Sequence, residues 1–131
     1  MIETVRAALI NPSYRSVHGI SMSLENPWRL AMLICAAKSR EGLIVRRISR
    51  DGDFLLIPTL GHPGGYFFIH APAEDAHVIY RGTALVVGLN EDRELFTDLT
   101  MTLDELRTRV EWKSQREALH ARSGTGGRRH A

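Results

Sequence analysis

Cysteine is almost absent from this sequence. Cys35 stands alone, so no internal disulfide can form and a small disulfide scaffold is excluded; one lone thiol suits a reducing, cytoplasmic setting. Long apolar runs are missing too. A transmembrane helix needs about 18 consecutive apolar residues and the chain has no such run, so no membrane partner is expected. The first eleven residues carry Glu3 and a single Arg ahead of a short apolar patch, which is not the pattern of a secretory signal. Lysine is scarce as well: of 17 basic residues only Lys38 and Lys113 are not Arg. There is no internal repeat, no Gly-x-Ser-x-Gly and no P-loop. Gly61, Gly64 and Gly65 follow one strand and precede another, which fits a turn better than a phosphate cradle.

What is present is an ordinary globular composition, 44% apolar and 24% charged over 131 residues, enough for one domain. The net charge of +2 hides an uneven layout. Lys38 to Arg50 holds five basic residues against Glu41. Glu74 to Glu105 holds eight acidic residues against Arg81 and Arg93. Lys113 to Ala131 is basic again, with five against Glu117. Such alternation bears on partners rather than on fold.

Val5, Ala8 and Leu9 lie near helical spacing and stop at Asn11-Pro12, so a short helix is expected over Glu3 to Ile10. Ile20, Met22 and Leu24 alternate as a strand. Asn26 and Pro27 then open a helix whose last turn holds Lys38 and Arg40, with Gly42 as its stop. Trp28 to Ala37 is apolar nearly all round, which predicts burial on most sides. A core strand over Leu30 to Ala37 competes, and the caps and Ala content favour the helix. Asp51-Gly52 between apolar runs marks a hairpin. A two-residue turn would pair Ile48 with Leu55, Arg47 with Leu56 and Arg46 with Ile57. Leu43, Val45, Phe54, Leu56 and Leu60 then share one face, Ile44, Ile48, Leu55 and Ile57 the other; both are apolar, so the hairpin should lie between other elements. Tyr66 to His70 reads as a strand, His77 to Leu89 as one long strand with a bulge at Gly82, and Asn90 to Asp98 as an acidic linker or short helix. Thr102-Leu-Asp-Glu105 is a capping box opening a helix with Leu103, Leu106 and Val110 on one face. The expected fold class is α+β: an antiparallel meander of four to five strands, as a curved sheet or small partly closed barrel, bracketed by N-terminal, central and C-terminal helices. Residues 1–112 form the domain, and 113–131 a helix extension with a basic flexible tail.

Candidate chemistry is sparse. His70 and His77 bracket a short connection containing Glu74 and Asp75, with His62 at the preceding turn; His62, His70, His77 and Asp75 are therefore the residues that could hold a metal. The plainer reading is solvated strand-end histidines, and no metal is expected. Cys35 sits in the most apolar segment, where a neutral buried thiol is the default. Arg46 and Arg47 point to opposite faces of one strand, so one of them should pair inside. Lys38, Arg40, Arg46, Arg47, Arg50, Arg116, Arg122, Arg128 and Arg129 are the candidate partner-binding residues. Arg suits bidentate contacts to carboxylate or phosphate. Tyr66, Phe67 and Phe68 could stack on bases, against the plainer reading that they are core.

Asp51-Gly-Asp-Phe-Leu-Leu-Ile57, then Val78-Ile-Tyr-Arg-Gly-Thr-Ala-Leu-Val-Val87 and Asn90-Glu-Asp-Arg-Glu94, resembles the later strands of split-barrel proteins of the pyridoxamine-phosphate-oxidase type. The resemblance implies an oxidoreductase barrel holding FMN or a deazaflavin at a dimer interface. Gly61 to Gly65 replaces the basic, Asn-Leu-containing joining segment of that family, and no cofactor is expected. The reading that absorbs most of the sequence is a non-catalytic, cytoplasmic interaction protein binding a protein or nucleoprotein partner, with the basic tail as a contact arm. Nucleic-acid binding through the Arg clusters and self-association are the other partner readings.

Overall fold

The computed structural model describes residues 3–59, 64–70, 78–90, 92 and 94–119. Its first element corrects the expected N-terminal helix. Residues Thr4–Asn11 form strand β1, hairpinned to β2 (Ser16–Ser23) in an unbroken antiparallel register from Thr4 opposite Ser23 to Asn11 opposite Ser16. The cause is burial on both faces. Val5 and Ala7 enter one apolar cluster, Ala8 and Ile10 the other. That erases the alternation of a half-buried strand and leaves a spacing that imitates a helix.

Helix α1 (Pro27–Ile34) begins at Pro27 as expected but ends well before Gly42. Ala36 takes φ 56°, and the N–H groups of Ala36 and Ala37 bond the carbonyls of Leu33 and Met32 at 3.3 and 2.8 Å. This is a Schellman closure, made with Ala where Gly is usual. Lys38 and Arg40 therefore lie beyond the helix, Arg40 opening a 3₁₀ turn. Nor is α1 buried on most sides: within it only Ala31 is fully buried, and Leu33 is 70% exposed.

Strands β3 (Leu43–Arg47) and β4 (Asp53–Pro58) form the expected hairpin in a register two residues away from the expected one. Arg47 faces Phe54 and Arg46 faces Leu55. The loop runs from Ser49 to Gly52, closed by the Ile48 N–H on the Asp53 carbonyl at 2.9 Å. A slip of one would have exchanged the faces; a slip of two preserves them. Leu43, Phe54 and Leu56 lie in one cluster, Ile48, Leu55 and Ile57 in the other, so the hairpin does run between two cores.

After β5 (Tyr66–Ile69), the expected long strand is two: β6 (Ile79–Arg81) and β7 (Ala84–Asn90). They divide at Gly82, whose φ of 95° turns the chain from one sheet into another and whose N–H bonds the Gly65 carbonyl at 3.0 Å. Part of the expected acidic linker is strand β8 (Leu95–Thr97), paired with β7. Helix α2 (Leu103–Arg109) carries the expected cap, with Thr102 Oγ1 accepting the Glu105 N–H at 3.1 Å. It passes directly into β9 (Val110–Lys113), which pairs with β5. A helical turn at 115–119 follows. Ser114 Oγ accepts the Glu117 N–H, Glu117 Oε1 accepts the Ser114 N–H, each at 3.1 Å, and Ala118 is buried.

The single meander of four to five strands is thus replaced by nine strands, among the described residues, in two antiparallel sheets. The larger runs β2-β1-β7-β4-β3 with β8 also on β7, and is not closed; the smaller runs β6-β5-β9. On one face of the larger sheet α1 buries Ala31 and Cys35 against Phe54, Leu56, Leu85 and Val87. On the other, α2 and the smaller sheet bury Leu106, Phe67, Ile69 and Tyr80 against Leu55, Ile57 and Val86. Each such large side chain contributes about 1.5–3 kcal/mol when fully buried.

Candidate functional site

At the loop end of the β3–β4 hairpin lies a fully buried carboxylate, Asp53. By strand alternation it shares the face of Leu55 and Ile57. Ser49 Oγ donates to its Oδ2 at 2.8 Å, the Thr100 N–H to its Oδ1 at 2.7 Å, and the Thr100 hydroxyl to Oδ2. The Asp53 N–H donates back to Ser49 Oγ at 3.1 Å. Nearby, Arg109 Nη1 donates to the Ile48 carbonyl at 3.1 Å and the Leu89 N–H to the Gly52 carbonyl at 2.9 Å. With donors on both oxygens, Asp53 acts as a clamp tying the hairpin loop to Thr100. Its signal in the sequence is an acid at a core-facing position of an apolar strand.

The cationic candidates are scattered. The Arg40 guanidinium lies 3.7 Å from the Trp28 ring centre and 3.8 Å from Glu94 Oε1. Trp28 packs edge-on against Phe96 at 4.8 Å and donates Nε1–H to the Glu94 carbonyl at 3.3 Å. Arg47 lies over Phe54 at 4.9 Å and donates to the carbonyls of Ser49 and Arg50 at 3.2 and 3.3 Å. Arg46 is half-buried; Lys38, Arg50 and Arg116 are exposed. Lys38 and Arg40 precede β3 while Arg47 ends it and Arg50 follows, the strand's two ends being about 13 Å apart at the usual rise. Arg122, Arg128 and Arg129 lie outside the described residues. Of the two readings of the aromatic strand, burial favours core over stacking: Phe67 and Phe68 are buried, and Tyr66 is partly open, with Arg81 5.4 Å from its ring centre.

Among the histidines, His70 is exposed with Nε2 3.2 Å from Glu111 Oε2. Its acid comes from β9 because Phe68 is registered opposite Glu111. Lys113 Nζ sits 2.9 Å from Glu111 Oε1 and 3.6 Å from Glu117 Oε2. Lys113, then His70, hold the Glu111 carboxyl below the ordinary Glu range, and Glu111 raises Lys113 in return. Among the described residues no group of three metal-binding side chains converges. His62, Asp75 and His77 lie outside the described residues. Cys35 is buried, donates Sγ–H to the Leu56 carbonyl at 3.4 Å, and has its thiol pushed up to about 12 by burial. At neutral pH it is protonated and poorly nucleophilic.

One feature had no clear sequence signal: the outer edge of β2. Leu24 donates to the Glu3 carbonyl at 3.0 Å, in phase with the β1–β2 register. Antiparallel alternation then turns the main-chain groups of Val17, Gly19, Ser21 and Ser23 outward. Arg107 Nε and Nη2 take the Val17 carbonyl at 3.1 and 3.0 Å. Gly19 and Ser21 are exposed. Beside Ser23 a shallow groove of about 380 Å³ opens against α1, lined by Glu25, Asn26, Arg29, Leu30 and Leu33. A main-chain edge next to an apolar shelf can bind an extended polypeptide as an added strand.

No protein-family model matches this chain, and no curated protein or solved structure was found to match it. The split-barrel resemblance rests on residues 51 to 94 alone. No helix among the described residues is long and apolar enough to cross a membrane.

Proposed function

We propose that this chain is a non-catalytic interaction protein, an adaptor, inhibitor or assembly component that works by binding a protein or nucleoprotein partner. The outward main-chain groups of β2, beside the Leu30–Leu33 shelf, carry this reading. Hydrogen bonds along such an edge supply affinity, and the groove beside it supplies selectivity. Lys38, Arg50 and Arg116, with Arg122, Arg128 and Arg129 of the C-terminal arm, add positive charge that accelerates encounter with an acidic partner. The chain acts in the cytoplasm in this reading; because Lys113 closes β9 and Ala118 is buried, the folded body runs past the expected boundary at 112 and the contact arm is the segment beyond 119.

The test is capture of partners from extract with the full chain, a Ser21→Pro variant and a chain lacking residues 120–131. Ser21→Pro should lose the partner; loss of the arm should weaken capture, more at low salt than at high. Undiminished capture by both variants would overturn the reading.

A further inference from the structure

We infer that the outer edge of β2 is filled by the β2 of a second copy of this chain, paired antiparallel about a two-fold axis at Ser21. This rests on the reading of β2 as a docking edge and adds the identity of its occupant.

The position of the axis follows from which groups remain open. Arg107 occupies the Val17 carbonyl, closing the edge at that end. Gly19, Ser21 and Ser23 keep their outward main-chain groups, and Ser21 is their midpoint. A two-fold there sets Ser21 against its own counterpart and Gly19 against Ser23 of the other copy, each bond made twice, as an isologous interface requires. The strand Ser16–Ser23 holds no Lys, Arg or Pro, the residues that usually block such edges. The outward-bonding residues from Gly19 to Ser23 have no side chain or a short one.

Charge selects a second copy, and selects its direction. At one end of the edge exposed Glu3 and Glu25 outnumber Arg29; at the other, exposed Arg15 carries the excess charge, Arg107 being paired with Asp104. Antiparallel self-pairing lays the acidic end of each copy beside the basic end of its partner, twice over. Parallel pairing would set like charge on like. The apolar surface agrees. The groove between Ser23 and α1 places Leu30 and Leu33 on the flank of α1 beside this edge. The same two-fold sets the two α1 helices next to each other on one face of the joined sheet and covers Leu33, 70% exposed in a single copy.

The experiment is sedimentation equilibrium of the purified full chain over a concentration series, with thermal melts confirming that each variant is folded. The full chain should reach twice its mass. Ser21→Pro should remain at single mass; the N–H it deletes points away from β1, so the hairpin ladder survives. Ser21→Lys, which places two ammonium groups face to face at the axis, should do the same. Glu25→Arg alone and Arg15→Glu alone should each weaken self-association about tenfold through two repelling pairs. An equimolar mixture of those two should recover it, because every pair in the mixed dimer is again opposite in sign. A full chain at single mass throughout, or a dimer indifferent to both Ser21 substitutions, overturns the inference. If the full chain stays single while Ser21→Pro still abolishes capture of another protein, the second copy is excluded and the docking edge stands. If the full chain stays single and Ser21→Pro changes nothing, both fall.

Discussion

The two ends of the larger sheet are finished in opposite ways. β3 is five residues long and terminates in Arg46-Arg47. One of these arginines folds over Phe54 onto loop carbonyls, and the loop is pinned by Asp53 to Ser49 and Thr100. β2 is eight residues long with no Lys, Arg, Asp or Glu, and among the described residues Arg107 covers only its Val17 carbonyl. Short length and charge are the usual protection of a sheet edge. The chain applies both at β3 and neither at β2; in the proposed reading that asymmetry separates a sealed edge from one open to a partner.

Substitutions can break this contrast from either side. The largest effect belongs to Asp53→Ala, which orphans the buried Ser49 hydroxyl and the partly buried Thr100 N–H. At about 1–3 kcal/mol per orphaned buried group, urea denaturation should show a loss of roughly 3 kcal/mol. A loss below about 1 kcal/mol would mean the clamp does not hold the β3 end. Thr102→Ala removes the cap of α2, the helix that carries Arg107 to β2, and should cost about 1 kcal/mol in the same assay. Arg47→Ala, which uncovers Phe54, should cost about 0.5–1 kcal/mol. At β2 the pattern inverts: Ser21→Lys should leave the stability of the single chain within about 0.5 kcal/mol while removing association. The smallest effect is a pH dependence in the second sheet. Glu111 titrates below its unfolded range, so its bonds to Lys113 and His70 contribute fully above that range and fade as pH falls through the folded value. Lys113, raised, contributes below its unfolded value and loses that contribution as pH rises through the folded one. Glu111 is exposed and Lys113 only partly buried, so melts at pH 3 to 6 of Glu111→Gln and parent should differ only slightly, and should converge at the acid end.

How much of this was legible in the sequence depended on what each signal measures. Asp51-Gly52 located the hairpin, and the side-chain period of two assigned its faces correctly even though the register was off by two, since parity survives an even slip. Thr102 and Glu105 located α2 because capping is local chemistry. β1 was hidden by burial on both sides. The split at Gly82 and the passage of α2 into β9 at Val110 were hidden because the choice of sheet is a tertiary decision that no local residue announces. The candidate site was less legible still. Charge layout pointed to Arg40 and Arg47, which are engaged within the fold. The β2 edge is defined by which way its amides face, and that depends on β1.

Amide hydrogen exchange along β2 tests the central claim most directly, because neighbouring residues there answer differently. Ile20 and Met22 bond inward to β1; Ser21 and Ser23 face outward. On association, as chain concentration is raised, exchange at Ser21 and Ser23 should slow by orders of magnitude while Ile20 and Met22 change little. Equal rates at Ser21 and Ser23 in the free and associated states would contradict the assignment of β2 as the contact edge.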